Sequence, residues 1–86
     1  IRDQEQFPEM ANQEHVNILK SGGAEWNKWR AGNPGAKPDF SWANLVSVDM
    51  SGANLEGANM KLAFCKGCKM DGAILKGASL FGTNLE

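Results

Sequence analysis

The sequence is short of histidine and cysteine, with one His and two Cys, and its charges nearly cancel at a formal net charge of −1. Two cysteines are too few to frame a disulfide-built mini-protein. A balance of 9 Lys+Arg against 10 Asp+Glu argues against the basic surface of a dedicated nucleic-acid binder, and equally against an acidic mimic of nucleic acid. No uninterrupted apolar run approaches the roughly 18 residues of a membrane-spanning helix, so direct membrane insertion is not expected. No basic-then-apolar signal segment opens the chain. At 86 residues this is one small domain, below the size at which a single globular core gives comfortable stability.

The chain divides by pattern near Pro38. Residues 1–11 are polar with Phe7 as their anchor and read as a tail or arm. Residues 12–37 read as a short helical segment: Val16/Leu19 and Trp26/Trp29 are i,i+3 pairs that share a helix face. Asn12 is a candidate N-cap for a helix over about 12–20. Gly22-Gly23 breaks that helix, Ala24–Ala31 predicts a second, and Gly32-Asn33-Pro34-Gly35 is a stop-and-turn signal. Helices this short are marginal alone, so their apolar faces need something to sit on.

From Phe40 onward the chain repeats every five residues. Stepping by five gives Leu45, Met50, Leu55, Met60, Cys65, Met70, Leu75, Leu80 and Leu85, all apolar. Two residues before each large side chain stands a small one, and every Ala after Phe40 falls in that register. Two residues after it comes the third rule, with Gly52, Gly57, Gly67, Gly72, Gly77 and Gly82 all in place. A step of five scatters side chains around an α-helix and alternates faces on a flat strand. It fits a coil that turns a corner every five residues, with a large and a small residue inward on each side and Gly near the bend. Stacked coils then bury a ladder of Leu and Met at about 1.5–3 kcal/mol per side chain.

Ala43-Asn44-Leu45, Ala53-Asn54-Leu55, Ala58-Asn59-Met60 and Thr83-Asn84-Leu85 resemble the A(D/N)LXX consensus of the pentapeptide-repeat family. The resemblance covers residues 38–86. It implies a right-handed quadrilateral β-helix, with four pentapeptides per coil and about two and a half coils at the usual strand spacing of about 4.8 Å. The stretch from Ile18 to Asp39 looks like the α-helical N-terminal cap that precedes some such repeats, with Trp26 and Trp29 sealing the first coil and Lys28 and Arg30 on the wet side. Residues twenty apart would then stack, and Asp49/Lys69, Glu56/Lys76 and Lys66/Glu86 are all of opposite sign.

Little in the chain reads as chemistry. Cys65-Lys66-Gly67-Cys68 is a CxxC, but zinc needs about four ligands and His15 is the sole histidine left. Cys65 falls in the large inward slot and Cys68 in the small one, so two buried free thiols are the favoured reading. A disulfide, or a metal or haem attachment, are the alternatives. His15 is expected to be a solvated helix residue. No Ser/His/Asp or Cys/His set and no paired carboxylates come together, so no enzyme activity, no catalytic residue and no cofactor are expected.

The apolar residues that break the outward polar rule are Val46, Leu62, Phe64, Ile74 and Phe81, with Trp42 at a corner. In the four-per-coil register, Trp42, Leu62, Phe64 and Phe81 form one edge patch, the expected protein-binding surface. Cover by the N-terminal segment, through Phe7 for instance, is the other reading. The repeats run to Glu86 with no second cap and Ile1 is no initiator Met, so Leu85 marks an open apolar end. The expectation is a segment of a longer protein, or an end sealed by another chain through end-to-end or edge association. The resemblance thus implies a non-catalytic scaffold or accessory subunit with protein partners and no nucleic acid. The family's DNA mimicry against type II topoisomerases is the alternative, disfavoured by charge and length. The resemblance favours a bacterial origin, and a cytoplasmic location is compatible with reduced inward thiols, an exported or processed form being the alternative.

Overall fold

The computed structural model describes residues 11–85; Phe7, the rest of the expected arm up to residue 10, and Glu86 lie outside the described residues. Among the described residues two helices come first: α1 over Gln13–Lys20 and α2 over Gly23–Gly32. The Asn12 side chain accepts the N–H groups of Glu14 and His15 at 2.9 and 3.2 Å, satisfying two donors that the first turn of a helix leaves unpaired. Gly22, at φ 111°, makes the bend into α2.

From Asp39 onward the backbone is a β-solenoid. Parallel bridges join Asp39 to Asn59, Asn44 to Phe64, Asp49 to Lys69, Asn54 to Ile74, Asn59 to Ser79 and Phe64 to Asn84. Each pair is twenty residues apart, which is four five-residue units. Hydrogen bonds between stacked positions run from 2.7 to 3.0 Å, as in Phe40 N–H to the Asn59 carbonyl and Asn59 N–H to the Pro38 carbonyl. Each unit closes its corner with a tight turn, such as Ala43 N–H to the Phe40 carbonyl at 3.0 Å. In the lower coils an Asn or Asp beside the inward residue braces that turn. Asn44, Asp49, Asn54 and Asn59 accept the N–H groups of Val46, Ser51, Glu56 and Lys61 at 3.0–3.1 Å, an Asx-turn geometry.

Phe40, Leu45, Met50, Leu55, Met60 and Cys65 are fully buried, and Ala53, Ala58 and Ala63 fill the small slots between them. Burial then fades along the chain: Met70, Leu75 and Leu80 are half-buried and Leu85 is exposed. Among the described residues, the N–H groups of Met70, Leu75 and Leu80 find no acceptor, although their counterparts at Met50, Leu55 and Met60 bond to the next coil.

At the other end, α1 and α2 lie against the first coil and supply by side chain what a coil beneath would supply by backbone. Trp26 Nε1 donates to the Asn54 carbonyl at 2.8 Å, and Arg30 Nη2 to the Glu56 carbonyl at 3.0 Å. The Asn27 amide imitates a peptide group, donating to the Gly52 carbonyl at 2.9 Å and accepting Asn54 N–H at 2.7 Å. Asn12 N–H donates to the Asp39 carbonyl at 3.0 Å, and Asp39 N–H donates to His15 Nδ1 at 3.2 Å. Buried backbone groups must be paired somewhere, and these four side chains and one amide do that work on the lower rim.

Two expectations are corrected here, and the stacking expected of a third holds without an ion pair. His15 is not solvated: it is 8% exposed, with its ring centroid 5.0 Å from Trp29 and 6.1 Å from Trp26. It lies four residues before Leu19 and so shares that buried helix face. Arg30 is half-buried rather than on the wet side, because both guanidinium ends are drawn to carbonyls, the second that of Ala36 at 3.1 Å. The charges at Asp49/Lys69 do stack in register, yet among the described residues the one ion pair is Lys28–Glu25 on α2 at 3.4 Å. Asp49 instead takes the Ser51 N–H, which holds its carboxyl below the usual range, with Lys69 a lesser contributor.

Candidate functional site

The solenoid corners carry a backbone demand that singles out three residues. Every fifth position from 42 to 82 has φ between 61° and 74°, the left-handed region that costs a residue with a Cβ about 1–2 kcal/mol. Six of these nine corners are glycine; Trp42, Ser47 and Leu62 are the exceptions, at 63°, 62° and 61°. For large side chains this is an outlier, and strain of this kind marks sites where the side chain itself is wanted.

Trp42 and Leu62 occupy the same column. Trp42 N–H donates to the Lys61 carbonyl at 3.0 Å and Leu62 N–H to the Phe81 carbonyl at 2.9 Å, so Phe81 stacks over Lys61 beside Leu62. The third corner of that column is Gly82. A Cβ there would come within 2.6 Å of Leu62 Cδ2, so the Leu62 side chain lies over the glycine. Leu62 is accordingly half-buried. Phe64 follows on the adjoining side, bridged to Asn44 below and Asn84 above. It stands where the lower coils carry the Asn or Asp that braces the turn, so that hydrogen bond is absent at Phe64.

Trp42 is 46% exposed, Phe64 48%, Phe81 74% and Leu85 53%. Val46 is exposed at the next corner, and Ile74 is exposed alone on another side. Three of the five outward exposed large apolar residues thus belong to the single side made by residues 41–45, 61–65 and 81–85, while Leu85, in the inward slot of that side, is exposed at the last described coil. At its lower end Trp42 walls a depression of about 250 Å³ shared with Ala11, Gln13, Val16 and Lys20 of the helical segment. A larger, polar depression beneath α2 is lined by Asn27, Arg30 and Glu56, but the Asn27 and Arg30 side chains there are already bonded to the solenoid backbone.

The cysteines are free thiols. Burial pushes the Cys65 thiol up to about 12, with Cys68 adding to the shift, so Cys65 is protonated at neutral pH and a poor nucleophile or metal ligand. Cys68 is half-buried rather than buried, and its Sγ–H donates to the Leu45 carbonyl at 2.7 Å. Thr83 makes the same contact fifteen residues later, its hydroxyl donating to the Met60 carbonyl at 2.6 Å. Cys68 therefore behaves as a small hydrogen-bonding spacer. Among the described residues no group of three or more His, Cys, Asp or Glu is arranged to hold a metal ion.

His15 is the titratable group sequence reasoning misplaced. Its Nδ1 accepts Asp39 N–H, which puts the ring proton on Nε2. Desolvation lowers its pKa from the ordinary 6.5; Glu14 and Asp39 raise it by lesser amounts, and Arg30 lowers it further. The unfolded chain therefore binds this proton more readily than the folded one. His15 contributes its full stability above about pH 6.5, and that contribution falls away as the pH drops below this value. Thermal melts from pH 8 to pH 5 should show the midpoint falling over that window. His15→Asn, whose Oδ1 can still accept from Asp39, should flatten the slope; an unchanged slope would place the titrating group elsewhere.

A family model described as pentapeptide repeats matches residues 39–61 and 49–86, with eight copies of the repeat. Comparison with curated proteins finds no match.

Proposed function

The chain belongs to the pentapeptide-repeat family, and on that premise we propose that it is a non-catalytic structural or protein-binding module, a scaffold or accessory subunit of a larger assembly. Residues 38–86 form its right-handed quadrilateral β-helix of about two and a half coils, residues 12–37 a helical cap on the first coil, and residues 1–11 an arm. A repeat fold commits its inward side chains to stacking, so what distinguishes one such module from another lies outside.

One observation carries the reading: Trp42, Leu62, Phe64 and Phe81 gather at one corner and the side that follows it, at positions where the repeat rule supplies Gly, Asn or a polar residue. An exposed apolar cluster of this kind is characteristic of a protein-binding surface, and aromatic residues dominate binding energy at interface centres. Leu85 and the N–H groups of Met70, Leu75 and Leu80, unpaired among the described residues, offer a second contact where another coil would extend the ladder.

The test is a double substitution, Phe64→Ser with Phe81→Ser. Both side chains are largely outside the core, so the melting midpoint should stay within a few degrees. Proteins that co-purify with the unsubstituted chain should be lost. Undiminished retention by a folded double variant would remove the patch from the function.

A further inference from the structure

The exposed side of the solenoid is apolar and, in its charges, of one sign. Residues 41–45, 61–65 and 81–85 contain a single charged residue, Lys61. Lys61 is exposed, stacked between the Ser41 and Phe81 positions of its two neighbouring coils, with its carbonyl accepting Trp42 N–H. At the following corner Lys66 is exposed, its carbonyl accepting Ser47 N–H. From below, α1 presents Gln13, Val16 and Lys20 to the depression beside Trp42, and Lys20 is the charge among them. The nearest carboxylate in the chain before this side, Asp39, is occupied by the N–H and hydroxyl of Ser41 at 3.0 and 2.8 Å.

We infer that this face takes an acidic, extended segment of a partner protein, with an apolar side chain in the depression between α1 and Trp42 and carboxylates flanking it toward Lys20 and Lys61. This rests on the binding-module reading above and adds the chemistry of the partner. Two independent features carry it. Among the described residues the ion pair is Lys28–Glu25, away from this face, so Lys20 and Lys61 fringe the apolar cluster with their charges unengaged by it, and complementary charge is what selects and orients a partner. Trp42 holds an indole at a left-handed corner that glycine serves without strain elsewhere, beside a depression sized for one side chain rather than for a small-molecule ligand. A basic segment would bring like charges together, and an uncharged one would leave the lysines unmatched.

The probe is a short dye-labelled peptide with a Phe-Leu centre and two glutamates on each side, followed by fluorescence anisotropy against the whole chain. One control peptide carries lysines for the glutamates, a second Ser-Ser for the centre. The acidic apolar peptide should bind, with affinity falling as salt rises, and each control at least tenfold more weakly. Lys20→Glu with Lys61→Glu should weaken it at least tenfold. Trp42→Gly should do the same without loss of fold, since glycine relieves the corner. Equal binding of the lysine peptide, or indifference to the lysine reversals, overturns the inference. So does binding of the unsubstituted chain to phosphatidylserine-containing vesicles, lost in Trp42→Gly, with no binding of the peptide. If the acidic peptide fails while Phe64→Ser/Phe81→Ser still loses a co-purifying protein, the acidic partner is wrong and the binding-module reading stands.

Discussion

Replacing Leu55 by lysine is expected to abolish cooperative folding. Leu55 is fully buried in the middle of the inward ladder. Its own backbone is held by the next coil, N–H to the Ile74 carbonyl at 2.8 Å, and its carbonyl closes the turn with Ala58 N–H at 3.0 Å. Deleting a buried leucine side chain costs about 2–5 kcal/mol, and an ammonium group has no water or partner among the Ala, Met and Leu side chains there, adding several more. At about 0.05–0.15 kcal/mol per residue, a domain of this length has only about 4–13 kcal/mol to lose. Glu56→Lys is the matched control. Glu56 is exposed one residue later, and its carbonyl, which receives Arg30, is unchanged by the substitution. Its stacked neighbour is Lys76, and a surface change of this kind stays within about 0.5 kcal/mol. Circular dichroism with urea titration separates the two, and equal stability would mean that the large residues of the repeat do not point inward.

That contrast works because the inward register was legible. The five-residue step of Leu, Met and Ala, together with glycines at fixed phase, is a statement about which side chains face which way, and it needs no tertiary information. Trp42 and Leu62 were legible in the same way, as apolar departures from a rule, but the left-handed backbone they share was not. What joins the helical segment to the solenoid was not. Trp26 and Leu19 announced themselves as an apolar face, but Asn27, Arg30 and His15 act on carbonyls and amides 24–27 residues onward. Such polar contacts have no period: an asparagine imitating a peptide group looks like any exposed asparagine. The signal available for His15 was its spacing of four from Leu19, which puts it on the buried stripe. For the outward patch, register could say which residues share a column, while the depression beside Trp42 depends on how α1 lies and had no trace in the repeat.

Substituting Gly23 by alanine should destabilise the protein by about 1–3 kcal/mol or more, which for a domain of this size is roughly 5–20 °C in melting midpoint. Local rules give the opposite sign. Alanine is the better helix former by about 1 kcal/mol, and removing a glycine lowers the entropy of the unfolded chain, a gain of about 0.4–1 kcal/mol where the native backbone suits it. Packing reverses this, because Gly23 opens α2 directly against the first coil. A Cβ there would collide with the Ser51 carbonyl oxygen and lie 3.3 Å from Ala53 N. The obstacle is backbone, and it is pinned: Gly52 N–H bonds to the Asp71 carbonyl at 2.8 Å, and the Gly52 carbonyl takes Asn27. Alanine would therefore push α2 outward, stretching the Trp26 and Asn27 hydrogen bonds and opening the aromatic stack of Trp26 on Phe40, whose ring centroids are 5.3 Å apart. Gly32 ends the same helix with nothing within 4 Å of its would-be Cβ, so Gly32→Ala should be neutral or slightly stabilising. Melts followed by tryptophan fluorescence compare the two directly. If both glycines tolerate alanine alike, the helices do not seat on the solenoid at this distance, and the role given to His15, Trp26, Asn27 and Arg30 on its lower rim fails with them.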